Sequence, residues 1–300
     1  MKNQSLYRLL ALLLMMGLLL GLAACGSKPS AAGSSQEETD AAVEEPVAGT
    51  TFDVTKAPFT LFDQGGITVE VTGLGESLNS QTVLLKCTNA TEQDVQINVL
   101  EMVVNGIYVD GTYCRAEVPA GETVDDESIY LNANRLLNQK IETIATVELT
   151  VQVKDADGRE LLDESDRLLL EFADKDFVQP EFETDALIYD EYGVKIYAVY
   201  GMQKDGYGYD AVTVWIENDT DSVLRVWPET MTVNGTEYHS SVTTEVMAHT
   251  HTAHPIAVNL KNFDLSDPSE VTSVTLSLHL LGDALPDHVV ITESVEMIAE

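Results

Sequence analysis

From residue 61 onward, apolar and polar positions alternate in short runs. Ile67, Val69 and Val71 alternate with Thr68, Glu70 and Thr72, and Val83, Leu85 and Cys87 with Leu84, Lys86 and Thr88. Val147, Leu149, Val151 and Val153 alternate with Glu148, Thr150 and Gln152. A period of two buries one face of a strand and wets the other. Turn sequences separate the runs: Asn105-Gly106, Asn234-Gly235, Asp157-Gly158 and Pro119-Ala120-Gly121. Residues 134–139 predict one helical turn between strands, and nothing longer is expected. Short strands with turns between them predict an all-β chain built as sandwiches.

The pattern then repeats. Residues 61–67 match residues 188–194, and residues 83–106 match residues 212–235 without a gap. The second match carries Asn89 onto Asn218, Thr91 onto Thr220, and Val-Asn-Gly at 104–106 onto 233–235. Residues 129–132 and 144–153 recur at 256–259 and 271–280. A period near 128 residues is far too long for a solenoid unit and matches one duplicated domain. The expected organisation is one immunoglobulin-like β-sandwich over residues 57–176, a junction over 177–186 and a second sandwich over 187–300. The Cys–Trp–Cys spacing of antibody domains is missing.

The start of the chain has a different pattern. Lys2 and Arg8 precede an apolar run over residues 9–24, which ends in Leu22-Ala23-Ala24-Cys25. This resembles the lipobox of bacterial lipoproteins. The resemblance implies a signal peptide over residues 1–24, cleavage before Cys25 and lipid on the Cys25 sulfur, which would anchor the chain on the extracytoplasmic face of the cell membrane. Residues 25–56 are rich in Gly, Ser, Ala and Glu and predict a flexible linker, since they bury too little surface to offset chain entropy. As a coil such a linker spans about 30 Å, and stretched about 100 Å. No second apolar run approaches the roughly 20 residues of a spanning helix.

Gly66-Ile67-Thr68-Val69, a strand ending in Asn89-Ala90-Thr91, then Val104-Asn105-Gly106 and Pro119-Ala120-Gly121 give an order of short motifs. That order is similar to the immunoglobulin-like domains of Gram-positive surface lipoproteins of the DUF4352/DUF5067 type. These domains are related in fold to a mycobacterial immunoprotective protein. The resemblance spans roughly residues 57–300 and implies no catalytic residues. The second repeat departs from it, with histidines over 249–254 where the first has its Pro-Ala-Gly-Glu turn.

Charge narrows the partners. The formal net charge is −34, and removing Lys2 and Arg8 with the leader makes it −36. Such a surface disfavours nucleic acid and other polyanions. Three cysteines are too few for a disulfide scaffold; with Cys25 assigned to lipid, Cys87 and Cys114 are either an oxidisable pair or two buried thiols.

Two groups of residues carry candidate chemistry. His249, His251 and His254 lie within six residues, and on an extended strand His249 and His251 share a face about 7 Å apart. His239 joins them if residues 237–241 and 246–251 form a hairpin, and imidazoles favour Zn²⁺, Cu²⁺ or Ni²⁺. The second group is aromatic. Strand parity puts Tyr197 and Trp215 on an outer face where the first repeat has Glu70 and Lys86. Large aromatics on a solvent face need a cover, from the other domain or from a partner. Tyr207, Tyr209 and Trp227 extend this patch, the first two on a glycine-rich loop. Asp155-Ala156-Asp157-Gly158 lacks the glutamate of a calcium loop and predicts a hairpin turn. No phosphate loop, nucleophile elbow or zinc-protease motif occurs. The combined expectation is a lipid-anchored, non-enzymatic binding module with no cofactor beyond its lipid. Its partner would be an unknown protein or cell-envelope ligand, met by the second repeat. The alternative is a metal-binding lipoprotein using residues 249–254.

Overall fold

The computed structural model describes residues 50–77, 80–110, 114–240, 242–286, 288–295 and 297. Cys25, the signal peptide and most of the linker lie outside them. The first repeat contains β1 (Thr51–Asp53), β2 (Phe59–Gln64), β3 (Ile67–Ser77), β4 (Ser80–Asn89), β5 (Val95–Val104) and β6 (Ile107–Tyr108). It continues with β7 (Cys114–Val118), β8 (Thr123–Tyr130), helix α1 (Ala133–Asn138), β9 (Thr146–Asp155), β10 (Glu160–Leu162) and β11 (Leu168–Glu171). The second contains β12 (Ala186–Glu191), β13 (Val194–Lys204), β14 (Asp210–Asn218), β15 (Leu224–Val233), β16 (Thr236–His239), β17 (Thr244–Val246), β18 (Thr250–Ala257), β19 (Val274–Leu281) and β20 (Val289–Val295).

The fold is all-β, as the alternation predicts. In the first repeat, sheet β2-β3-β4-β8 faces a layer made of β1, β11, β9, β5 and β7, and side chains of both layers share one core. Ile67, Val69, Val71, Val83, Leu85 and Cys87 are all inside it. In the second repeat, β12, β13, β14 and β18 face β15, β16, β17, β19 and β20 across a separate core. The layers are not independent, however. An 11-stranded sheet runs β1-β11-β9-β5-β6-β18-β14-β13-β12, with β10 beside β9 and β7 beside β5, passing from the first repeat into the second where β6 lies parallel to β18. A free sheet edge is a template for unwanted pairing; here each repeat covers an edge of the other.

The residues shared by the repeats are structural pins. Asn89 is fully buried, donates from Nδ2 to the carbonyls of Gln93, Val118 and Pro119, and accepts from the N–H and hydroxyl of Thr91. Asn218 does the same with Ser222, Val246, Met247 and Thr220. Asn105 and Asn234 both adopt positive φ, 51° and 48°, ahead of a glycine. Asn105 binds the backbone of Thr143, Ala145 and Thr146, and Asn234 that of Glu270, Thr272 and Ser273. Each device satisfies backbone groups that a turn leaves without strand partners, at about 1 kcal/mol per bond.

One local expectation changes, and the alternative left open for the two cysteines is decided. The expected linker extends to residue 56, yet Thr51–Asp53 pairs in parallel with β11 and Val54 is 2% exposed. Phe52 and Val54 supply the apolar surface that the preceding residues lack, so this stretch belongs to the first sandwich. Cys87 and Cys114 are both free and buried, and burial pushes each thiol up to about 12. Residues 155–158 form the expected hairpin turn, closed by the Asp155 carboxylate accepting from the N–H groups of Asp157 and Arg159.

Candidate functional site

Tyr197 and Trp215 oppose each other across β13 and β14, in the places that Glu70 and Lys86 hold across β3 and β4. In the first repeat the pair is ionic, with Lys86 Nζ 2.6 Å from Glu70 Oε2. In the second it is aromatic and covered. Phe182, from the junction segment, stacks on Trp215 with centroids 4.6 Å apart and planes 12° from parallel. His251 tilts against the same indole at 4.9 Å, and Trp215 keeps 6% exposure. Trp215 and Ala253 count among the core residues of the first sandwich. A recess of about 500 Å³ beside them is lined by Ile107, Glu181, Thr184 and Glu217 as well as the aromatic pair.

Polar contacts reinforce this joint. The Gln139 side chain is buried and donates to Ala253 O at 2.8 Å while accepting from Ala253 N–H at 2.6 Å, imitating a neighbouring strand. Thr252 donates from its hydroxyl to Tyr108 O at 2.9 Å. Gly206 N–H donates to Asn138 Oδ1, and its Cα comes so close to α1 that a Cβ there would overlap the Asn134 carbonyl. The glycine-rich loop is therefore held, with Tyr207 5.7 Å from the Arg135 guanidinium and Asp205 accepting from the Tyr207 and Tyr209 N–H groups. Tyr209 itself is 65% exposed.

The histidine run does not stay together. His249 has φ of +55° and precedes β18, so the extended geometry that would align it with His251 is interrupted. Its Nε2 lies 2.9 Å from Asp221 Oδ1 on the surface. His251 packs on Trp215, and burial lowers its pKa from the usual histidine value. His254 opposes Val214 and shares the inward face of β18 with Ile256. Burial lowers its pKa to about 4, and its Nε2 has no hydrogen-bond partner. His239 sits on β16, which pairs with β15 rather than with residues 246–251, and it faces Glu237 at 3.9 Å. Among the described residues, no three His, Cys, Asp or Glu side chains are grouped to enclose a metal ion.

The last aromatic candidate, Trp227, occupies a different face. On β15 it alternates with the inward Val226 and Pro228 and opposes His279 of β19. The register shifts between Pro228 and Thr230, leaving Glu229 as the extra residue of a bulge. A bulge re-aims the side chain it carries, and here the Glu229 carboxylate meets His279 Nε2. His279 Nδ1 lies 2.7 Å from His288 Nε2, and His288 stacks on Trp227 with planes 17° apart. Arg225, Ser240, Thr243 and Glu245 complete an open groove of about 730 Å³. Within it Arg225 Nε donates to Glu245 Oε1 at 2.8 Å. The sequence reading named Trp227 but missed Glu229, His279 and His288. One signal was available: Val274, Leu276, Leu278 and Leu280 point inward, which puts His279 on the opposite face.

No family model matches the chain, and no curated protein is similar to it. Among solved structures, the YadV chaperone aligns over 77% of this chain and 100% of its own, at 10% identity and a TM-score of 0.24. A likeness of that size carries no argument.

Proposed function

We propose that this chain is a lipid-anchored, extracytoplasmic binding module without enzymatic activity, and that it holds its ligand in the groove around Trp227. One observation carries the reading: a half-buried indole with carboxylates, hydroxyls, imidazoles and a guanidinium converging around it on the outer face of a sheet. Binding sites combine an aromatic wall with a few placed polar groups in this way. Tyr197 and Trp215 serve the joint between repeats instead, since Phe182 and His251 already cover the Trp215 ring. The lipobox-like Cys25 supports the anchor, and the net charge of −34 favours an uncharged or cationic ligand over a polyanion. A polar, uncharged segment of the cell envelope fits both. Co-sedimentation of the purified chain with peptidoglycan sacculi tests this. Wild type should be retained and Trp227→Ala released, whereas equal sedimentation of the two would remove the groove from the account.

A further inference from the structure

The Glu229–His279–His288 chain at the floor of the groove has the chemistry of a metal site. A carboxylate only accepts hydrogen bonds, so the Glu229 contact fixes the proton of His279 on Nε2. The lone pair of a neutral His279 then lies on Nδ1, aimed at His288 Nε2. Here Nδ1 accepts from His288 Nε2–H, and once His288 shifts its proton to Nδ1 both facing nitrogens present lone pairs; ligating histidines are oriented in this way, with the outer ring nitrogen donating to a carboxylate and the inner one coordinating. His279 is held in place, 9% exposed and opposed to Trp227, whereas His288 is exposed just before β20.

We propose that His279 Nδ1 and His288 Nε2 bind a divalent transition-metal ion of the Zn²⁺, Cu²⁺ or Ni²⁺ class, with Glu229 as the positioning residue behind His279. The proposal rests on the Trp227 groove being the ligand site and says what that groove takes. Two imidazole nitrogens about 2.05 Å from one tetrahedral ion are about 3.3 Å apart. The observed 2.7 Å is short of that by about 0.6 Å, which a small rotation of the exposed His288 ring supplies. Imidazole donors select these ions over Ca²⁺ and Mg²⁺, which prefer oxygen. Only two protein donors converge, so the remaining positions open to water or to a ligand in the groove. The acidic surroundings, Glu229 and Glu245 included, favour a cation there. This pair replaces the run at 249–254 as the metal candidate, because it brings two ring nitrogens together and the run does not.

The test is calorimetric titration of Zn²⁺, Cu²⁺ and Ni²⁺ into the full chain carrying Cys25→Ser, which removes the thiol outside the two buried ones. One saturable equivalent is expected for at least one ion. It should disappear in His279→Ala and in His288→Ala, weaken about tenfold in Glu229→Gln, and persist in the His239→Ala/His249→Ala double variant. His288 is exposed, so its variant separates lost binding from lost folding. No binding, or binding that survives His288→Ala, would overturn the proposal. Sacculus co-sedimentation of the same variants keeps the two readings apart. Retention that needs Trp227 without any metal binding sinks the metal site alone, and absence of both sinks the groove as well.

Discussion

His254 makes stability depend on pH in a way that the structure quantifies. The imidazole sits on the inward face of β18 beside Ile256, and desolvation lowers its pKa from 6.5 to about 4, with the Arg135 charge adding a smaller push in the same direction. An unfolded chain restores the ordinary value. Between pH 6.5 and about 4 the unfolded state therefore binds more protons than the folded one, so folding stability falls as pH falls through that window. At pH 4.5 the loss relative to neutral pH is about 2.5 kcal/mol, from the roughly 2 pH units between 6.5 and 4.5 at 1.36 kcal/mol each, less the small fraction already protonated in the folded state. Other groups titrate in or beside the same window, notably His251, whose pKa burial also lowers, and Glu101 and Glu127, whose carboxyl pKa values burial raises. The assay is consequently a difference: urea denaturation of wild type and His254→Leu at pH 7.5 and 4.5. Wild type should lose about 2.5 kcal/mol more than the variant between the two pH values. Equal losses would refute the claim that a neutral imidazole is buried there.

Other outcomes follow from the joint and the core. Gly206→Ala places a methyl against the Asn134 carbonyl and should cost about 1–3 kcal/mol as overpacking does, read by denaturant midpoint. Gln139→Ala strands the N–H and C=O of Ala253 in a buried place and should cost about 2 kcal/mol or more. Thiol-reactive dye should leave Cys87 and Cys114 unlabelled in the folded chain and label both in denaturant, since burial holds each thiol near 12.

The strands were legible because alternation is local. β3, β4 and β9 could be placed from parity, and the shared Val-Asn-Gly turn marks the ends of β5 and β15. What the sequence hid was which edges meet. The parallel contact of β6 with β18 joins Ile107 to His251, far apart in the chain, and no periodicity encodes it. The same gap hid the cover on Trp215, because Phe182 lies in a segment without alternation. It also hid the second histidine group: His249, His251 and His254 are neighbours in sequence, whereas strand pairing brings His279 to Trp227 and the turn before β20 brings His288 to both. The bulge that turns Glu229 toward them has no sequence mark of its own.

The chain has two tryptophans, one at the joint and one in the groove, so their indole N–H signals distinguish the two candidate aromatic sites in one spectrum. Titrating soluble peptidoglycan fragments into the ¹⁵N-labelled chain should shift the Trp227 signal and leave that of Trp215 in place. A shift of Trp215 alone, or of neither, would contradict the assignment of the groove as the site where this protein meets its ligand.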